Sequence, residues 1–421
     1  MALRAEPTAV VGWGSLNPLG ADANSTWDAV IAGRSGIETL QTPWTEDLPV
    51  RLAGCVPMGA LNSLPPILCR RSDRCAQLAL AAAREAWSMA SSITTGLDPS
   101  RIAVVIGTGI GGLATMHEQH TQRSAGGPCR PNPLPVPMLI PDAAAGQVAI
   151  DLGLLGGART PVSACASGAE ALMLGQMLLN DDRADLVLAG GSEAPVNRLG
   201  LVGFAAMRAL SSRNDDPDQA SRPYGLGRDG FVLSEGAGVL ALMRQQDTPP
   251  GADLGWLLAS GSSSDAHHIV APEPQGLQAS RAIDDALRRA EVSPADLCGV
   301  QAHATGTNLG DLAEARALRR SLGSAADHLP VYAPKGQLGH LLGGAGAVET
   351  ILALQALHHG VMPGSLNADP LDPEVELAVT KQGPVQLSSD QGQRLLLKNA
   401  FGFGGHNISL VLAGSKSAQP G

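Results

Sequence analysis

Rings are scarce in this chain: four phenylalanines, two tyrosines and five tryptophans make up 3% of its 421 residues. A core built on stacked aromatics is therefore excluded, and the 51 glycines point instead to closely packed helices and tight turns around small side chains. Positive charge is also in deficit. With 29 lysines and arginines against 39 aspartates and glutamates the net charge is −10, which excludes a general electrostatic affinity for nucleic acid or anionic lipid. An acidic partner has to find a local basic patch. No apolar run approaches the ~18 residues of a membrane span, and residues 8–12 read as a strand entered without a secretory cleavage pattern. The cysteines, Cys55, Cys69, Cys75, Cys129, Cys165 and Cys298, form no CxxC pair and no zinc-like spacing with histidine. They read as reduced thiols of a cytoplasmic protein, and no metal site is expected.

What is present is length and an internal echo. With 44% apolar residues over 421 positions, the chain can bury a large core and is too long for one minimal domain, so two fused halves are expected. Residues 75–87 (CAQLALAAAREAW) predict a helix, followed by a turn at 96–101 and a strand over 102–106 that ends in Gly-Thr-Gly. Downstream the order returns, with a helix over 278–290, a turn over 292–296 and a strand over 298–302. Each half then offers a further strand, a turn of small residues and a helix, at 160–179 and at 331–358. Strands alternating with helices imply parallel βαβ connections with helices on both sheet faces, hence a pseudo-duplicated α/β fold. The halves are expected at 1–250 and 251–413, joined near Pro249 to Gly251, with a disordered tail at 414–421.

Three loops carry chemistry. Residues 160–170 (TPVSACASGAE) place Cys165 where an extended run gives way to a helix of small residues. Unpaired helix N–H groups and the positive end of the helix dipole are expected to lower the thiol pKa, and the same N–H groups suit an oxyanion; a buried structural cysteine is the competing reading. His303 follows a strand in 301–311 (QAHATGTNLGD), and His340 stands in 334–346 (PKGQLGHLLGGAG) just ahead of an apolar helix, which disfavours its protonation and suits a neutral donor to an enolate. The glycine-rich stretch 399–407 (NAFGFGGHN) lacks GxGxxG spacing and is followed by a strand, so a backbone oxyanion site and gate is preferred over phosphate binding.

Together, in this order, the Cys165, His303, Lys335/His340 and Phe401 loops resemble those of the elongating β-ketoacyl-[acyl carrier protein] synthases, especially bacterial long-chain and mycolate-type enzymes. The resemblance implies a thiolase-like five-layered α/β/α/β/α fold, and condensation of malonyl-carrier protein with an acyl group held on Cys165. In that scheme His303 and His340 stabilise the enolate, Lys335 orients them, Asp311 and Glu349 support, and the N–H groups of Cys165 and Phe401 form the oxyanion hole. It further implies pantetheine contacts at Thr305 and Thr307, and a gate of Phe401 and Gly402 with Asp265 and His268. An acyl pocket is implied at Ile110, Leu134, Val136 and Met138, and carrier docking at Arg70, Arg71 and Arg74, with Arg208 and Arg213 nearby.

No cofactor is implied; the partners are acyl carrier protein and a second copy of the chain. A type II polyketide or polyene ketosynthase paired with a chain-length subunit is the alternative. A thiolase would need a second cysteine in the Phe401 loop, a chalcone-synthase-like enzyme an asparagine in place of one histidine, and a non-catalytic chain-length subunit usually lacks the nucleophile. Gly336, Leu341 and Ala400 stand where the family commonly has serine, Leu226 where it has aspartate, and Gln301 and Lys398 where it has asparagine. Related synthases often hold a monovalent cation beside the residue aligned with Glu349. Here the Lys398 ammonium is expected to take that place, so that removing it would leave Glu349 unpaired.

Overall fold

The computed structural model describes residues 6–124, 132–381, 383–388 and 392–415. Its main sheet contains β1 (Thr8–Leu16), β2 (Ile102–Gly107), β3 (Ala158–Arg159), β4 (Leu186–Glu193) and β5 (Gly236–Arg244). It continues with β6 (Gly255–Ser264), β7 (Gly299–Gln301), β8 (Val331–Tyr332), β9 (Leu395–Gly402) and β10 (His406–Gly414). The spatial order is β8-β7-β9-β10-β6-β1-β5-β4-β2-β3. Read outward from the middle, the order and sense of one side repeat on the other. β1–β5 and β5–β4 are antiparallel and β4–β2 and β2–β3 parallel, while β6–β10 and β10–β9 are antiparallel and β9–β7 and β7–β8 parallel. The sides meet where Thr8–Val10 of β1 pair antiparallel with Gly255–Leu257 of β6.

The sheet is therefore mixed rather than purely parallel. β9 and β10 are joined by a short turn, and strands so joined can only run antiparallel. The tail expectation is corrected at its start, because Gly414 ends β10 and its N–H donates to the Arg394 carbonyl. Residues 416–421, like Cys129, lie outside the described residues.

Five helices build the layers: α1 (Arg74–Met89), α2 (Ser167–Asn180), α3 (Leu277–Ala290), α4 (Asn308–Leu322) and α5 (Ala345–His359). In α1, Asp73 caps the start by accepting from Cys75 N, and Cys75, Ala76, Ala79, Ala82, Ala83 and Ala86 form one buried stripe against β1, β4 and β5. α3 lies on β6 and β10 and against α4. α5 is buried from Ala345 to Leu357 and mostly apolar, with Glu349, Thr350 and Gln355 its buried polar side chains, as an inner layer allows. It lies against α2 at backbone distance. A Cβ on Gly168 would sit 2.9 Å from Ala347 N, and one on Gly346 would sit 2.4 Å from Ala169 N. Glycine at those two positions is what lets the inner helices touch. Truncating a buried leucine of this layer, such as Leu172 or Leu352, costs ~2–5 kcal/mol by the usual large-to-small penalty.

Candidate active site

The chain leaves β3, passes through residues 160–163 and makes one tight turn at Ala164–Ala166 before α2 begins at Ser167. Ala164 takes φ +51°, a left-handed conformation uncommon for a residue with a Cβ. Ser167 Oγ secures the turn: it accepts from Ser163 N at 2.9 Å and lies 2.7 Å from the Ala164 carbonyl. Cys165, at the centre, is 5% exposed. Its thiol is pushed up to about 12 by burial, while Lys335 and the Phe403 N–H pull it down and Glu193 raises it further. The expectation of a thiol acidified by the helix end is thus corrected: loss of water around the sulfur outweighs the local dipole.

His303 follows β7, where the Glu314 carboxylate of α4 accepts its backbone N–H at 2.8 Å and that of Ala304 at 2.7 Å. Lys335, which opens the short helix Lys335–Leu338 and is fully buried, donates to the His303 carbonyl and stands 3.5 Å from its Nδ1. An ammonium only donates, so Nδ1 faces it as the acceptor and the proton of the neutral ring belongs on Nε2. His340 is anchored through its backbone, N–H to Val232 O at 2.7 Å and carbonyl from Ser234 N at 3.0 Å. Its ring meets that of His303 edge to face, 5.5 Å between centroids, and that of Phe231 at 5.1 Å. Burial, and after it the charge of Lys335, hold both imidazoles well below the ordinary histidine value. Both are neutral, as the sequence led us to expect for His340.

Behind the histidines lies a buried charge cluster. Glu349 of α5 directs Oε1 to Lys335 and Oε2 to Lys398, whose Nζ is 3.3 Å away, and all three side chains are fully buried. The Lys398–Glu349 contact is an ion pair without hydrogen-bond alignment. Burial, partly offset by Glu349, lowers Lys398 to about 8. Gln301 Nε2 donates to the Glu349 carbonyl. With an ammonium on each carboxylate oxygen and an amide N–H on the carbonyl, these residues do not fit a metal cation. Lys335, however, is the nearer partner of Glu349, so the expectation that Glu349 depends on Lys398 is corrected.

The remaining expectations divide. Cys165, His303, Thr305, Thr307, His340, Phe401, Gly402 and Asp265 line one cavity that opens to solvent. Thr305 and Thr307 hydroxyls lie 2.9 Å apart, and Asp311 shapes their turn by accepting from Gly306 N at 3.0 Å and Tyr224 N at 2.7 Å. Gly402 sits so close to the nucleophile turn that a Cβ there would stand 2.5 Å from Ser163 O. Asp265 is tied to the Phe401 loop through its N–H to Gly405 O and by Asn407 Nδ2 at 2.7 Å.

His268 does not reach the cavity; it is exposed, and its Nδ1 accepts from Val270 N and Ala271 N. The four acyl-pocket residues do not line the cavity either. Ile110 and Val136 are 36% and 63% exposed, Leu134 is half-buried, and Met138 faces a separate crevice with Cys75, Gly111 and Gly112. Arg70, Arg71 and Arg208 are exposed, and Arg213 Nη2 donates to Gly227 O. Arg74 is paired: its guanidinium donates to the Glu235 carboxylate, with the side chain 40% exposed. Leu226 is 52% exposed, Leu341 and Ala400 are buried, and Gly336 has no room for a side chain, a Cβ falling 2.5 Å from Leu366 O.

The sequence reading missed Glu314, which also takes the Tyr224 hydroxyl and the Asn399 amide. Its signal was an acid one helical turn after Asp311 on a helix that leads directly from the His303 loop.

Residues 5–248 match the family described as beta-ketoacyl synthase, N-terminal domain, and residues 254–369 its C-terminal domain. A Staphylococcus aureus protein named 3-oxoacyl-[acyl-carrier-protein] synthase 2 is 38% identical over 96% of this chain and 97% of its own. A Mycobacterium bovis protein of the same name is 38% identical over 96% of each. Among solved structures, a beta-ketoacyl synthase from Burkholderia phymatum is 26% identical, with TM-score 0.87 over 97% of this chain and all of the other. A ketosynthase solved with its type II polyketide acyl-carrier protein is 27% identical, with TM-score 0.88 over 98% of this chain and all of the other.

Proposed function

The chain belongs to the beta-ketoacyl synthase family, and from that premise we propose that it elongates acyl chains as a 3-oxoacyl-[acyl-carrier-protein] synthase. Cys165 Sγ attacks the thioester carbonyl of an acyl group on carrier-protein pantetheine. The new S–C bond forms, the pantetheine S–C bond breaks, and the thiol proton passes to the departing pantetheine sulfur. N–H groups of Cys165 and Phe401 are assigned to the oxyanion of that step. Malonyl-carrier protein then occupies the cavity along Thr305 and Thr307. Its carboxylate leaves as carbon dioxide, the electron pair moves onto the thioester oxygen, and neutral His303 and His340 each donate one N–H to that enolate. The carbanion closes a C–C bond on the acyl carbonyl, the acyl C–S bond to Cys165 breaks, and the released thiolate takes a proton from solvent.

The observation that carries this reading is the convergence of Cys165, His303 and His340 on one cavity with Lys335 against His303 Nδ1. It supports the assignment of one nucleophile and two neutral donors to the same substrate space. Incubation with acyl-carrier proteins of graded length plus malonyl-carrier protein, read by intact-protein mass spectrometry, tests it. Products two carbons longer, through an acyl adduct on Cys165, are expected. Product formed only after a second, different subunit is added would support the polyketide alternative instead.

A second copy of the chain is the partner we assign to the sheet edge at β3, where Arg159 Nη1 and Thr160 Oγ1 are buried without a hydrogen-bond partner and Leu155 and Val162 are 73% and 52% exposed. Sedimentation at micromolar concentration as a single-chain species would remove that assignment.

A further inference from the structure

Glu193 ends β4, is 1% exposed, and has no place in the scheme above. Every hydrogen bond it accepts among the described residues comes from a neutral donor. Thr108 Oγ1, Ile110 N and Gly111 N reach Oε1 at 2.9, 3.1 and 3.2 Å. Gly109 N and Gly343 N reach Oε2 at 2.6 and 3.1 Å. The carboxyl group is therefore held inside the protein by four N–H groups and a hydroxyl, with no cation among those donors.

The donors come from both halves. Residues 108–111 continue from β2, and the Thr108 carbonyl lies 3.1 Å from Ser167 Oγ, the hydroxyl that secures the Cys165 turn. Gly343 belongs to the turn Leu342–Gly344 between His340 and α5. The packing leaves no slack: a Cβ on Gly343 would lie 2.4 Å from Gly109 N, and a Cβ on either glycine would lie 2.8 Å from Glu193 Oε2. Burial raises the Glu193 carboxyl and the five donors oppose that rise. The charges acting on the Cys165 thiol are Lys335, which favours ionisation, and Glu193, which opposes it. His303 and His340, across the cavity, are neutral.

We propose that Glu193 is a positioning residue that ties the Cys165 turn to the His340 turn and that its buried carboxyl group, held there, opposes a second negative charge at Cys165. This deepens the roles assigned above to Cys165 and His340 and rests on them. Full-length Glu193→Gln and Glu193→Asp test it by two readouts: the pH–rate curve for alkylation of the Cys165 peptide by iodoacetamide, and condensation.

Glutamine keeps the size, removes the charge and turns an amide N–H toward backbone donors. Its alkylation curve should move about one unit to lower pH, about tenfold faster at a fixed pH, with condensation down about tenfold or more. Aspartate keeps the charge but falls one methylene short, so condensation should drop about tenfold with the alkylation curve within about 0.3 units of wild type. An unmoved curve in the glutamine variant, or full condensation in the aspartate variant, overturns the proposal. If the glutamine variant does not fold, the aspartate variant decides by the same criteria. Alkylation requires no condensing activity, so failure of the proposed function would appear separately, as a wild type that carries no acyl group on Cys165.

Discussion

Lys398→Met separates two accounts of the buried charge cluster. Read from the sequence, Lys398 is the cation on which Glu349 depends; in the structure Lys335 occupies the other carboxylate oxygen. At 3.3 Å the Lys398–Glu349 attraction is about 5 kcal/mol at an effective dielectric of ~20. Loss of water and repulsion from Lys335 act against it, and the balance leaves Lys398 lowered from 10.5 to about 8. A lysine whose folded value lies below its unfolded one binds its proton more weakly in the native state. Stability therefore rises with pH between about 8 and 10.5, and below that window the charged ammonium costs the native state about 3 kcal/mol.

Methionine fills the same space without the charge, and Glu349 keeps Lys335. We expect Lys398→Met to be more stable at pH 7 by about 2–4 kcal/mol. For a chain of 421 residues the unfolding entropy is about 0.9 kcal/mol/K, so the melting point should rise by about 2–4 °C. The gain should shrink as pH rises through that window and vanish only above about pH 10.5, where both states of the wild type have lost the proton. Because the substitution also removes a cation from behind the enolate, malonyl decarboxylation should slow while Cys165 acylation persists. Thermal melts of both proteins at pH 7 and pH 10, with decarboxylation followed by mass spectrometry, give the comparison. A lower melting point at pH 7, or a difference that does not change with pH, would refute the reasoning.

Cys165→Ala should fold and lose all acyl transfer, and an acyl adduct on another cysteine of the wild type would overturn the assignment. His303→Ala and His340→Ala should each still acylate Cys165 but slow malonyl decarboxylation by about 10²–10⁴-fold; equal loss of acylation would contradict that division of labour. Gly402→Ala should cut acylation sharply with little change in melting point, since its Cβ would meet Ser163 O at 2.5 Å beside the nucleophile; wild-type acylation kinetics would show that the loop moves aside at no cost. Charge reversal at Arg70 and Arg71 should raise the KM for acyl-carrier protein in a salt-dependent way and spare small pantetheine thioesters. An unchanged salt dependence would remove both from the docking surface.

The residues that line the candidate site were legible because they sit in short loops whose composition betrays them. Cys165 precedes a helix of small residues, His303 follows a predicted strand, and His340 and Phe401 each have glycine beside them. The layered fold was legible for a related reason, since the helix–turn–strand order repeats. What escaped depends on contacts between distant segments. Glu193 reads as the polar end of a strand until residues 108–111 and 343 fold onto it, and Arg74 reads as part of a basic cluster until Glu235 takes its guanidinium. The direction of the Cys165 shift was misread for the same reason: a helix dipole is visible in the local sequence, whereas the burial that outweighs it is the work of the whole fold. The mixed sheet followed from the turn joining β9 to β10, which the strand-and-helix alternation alone does not reveal.

The division of the site between the repeated units bears on how the protein is born. The nucleophile lies in the part of the chain that leaves the ribosome first, and both histidines lie in the part that follows. At ~5–20 residues per second, synthesis of the stretch between Cys165 and His303 takes roughly 7 to 28 s. Throughout that interval a nascent chain holds Cys165 but neither of the histidines to which the proposed function assigns the enolate, and Glu193 still lacks Gly343. Under that proposal, competence to spend malonyl groups arrives only when the second half docks along the α2–α5 seam, and a truncated chain released early does not drain them.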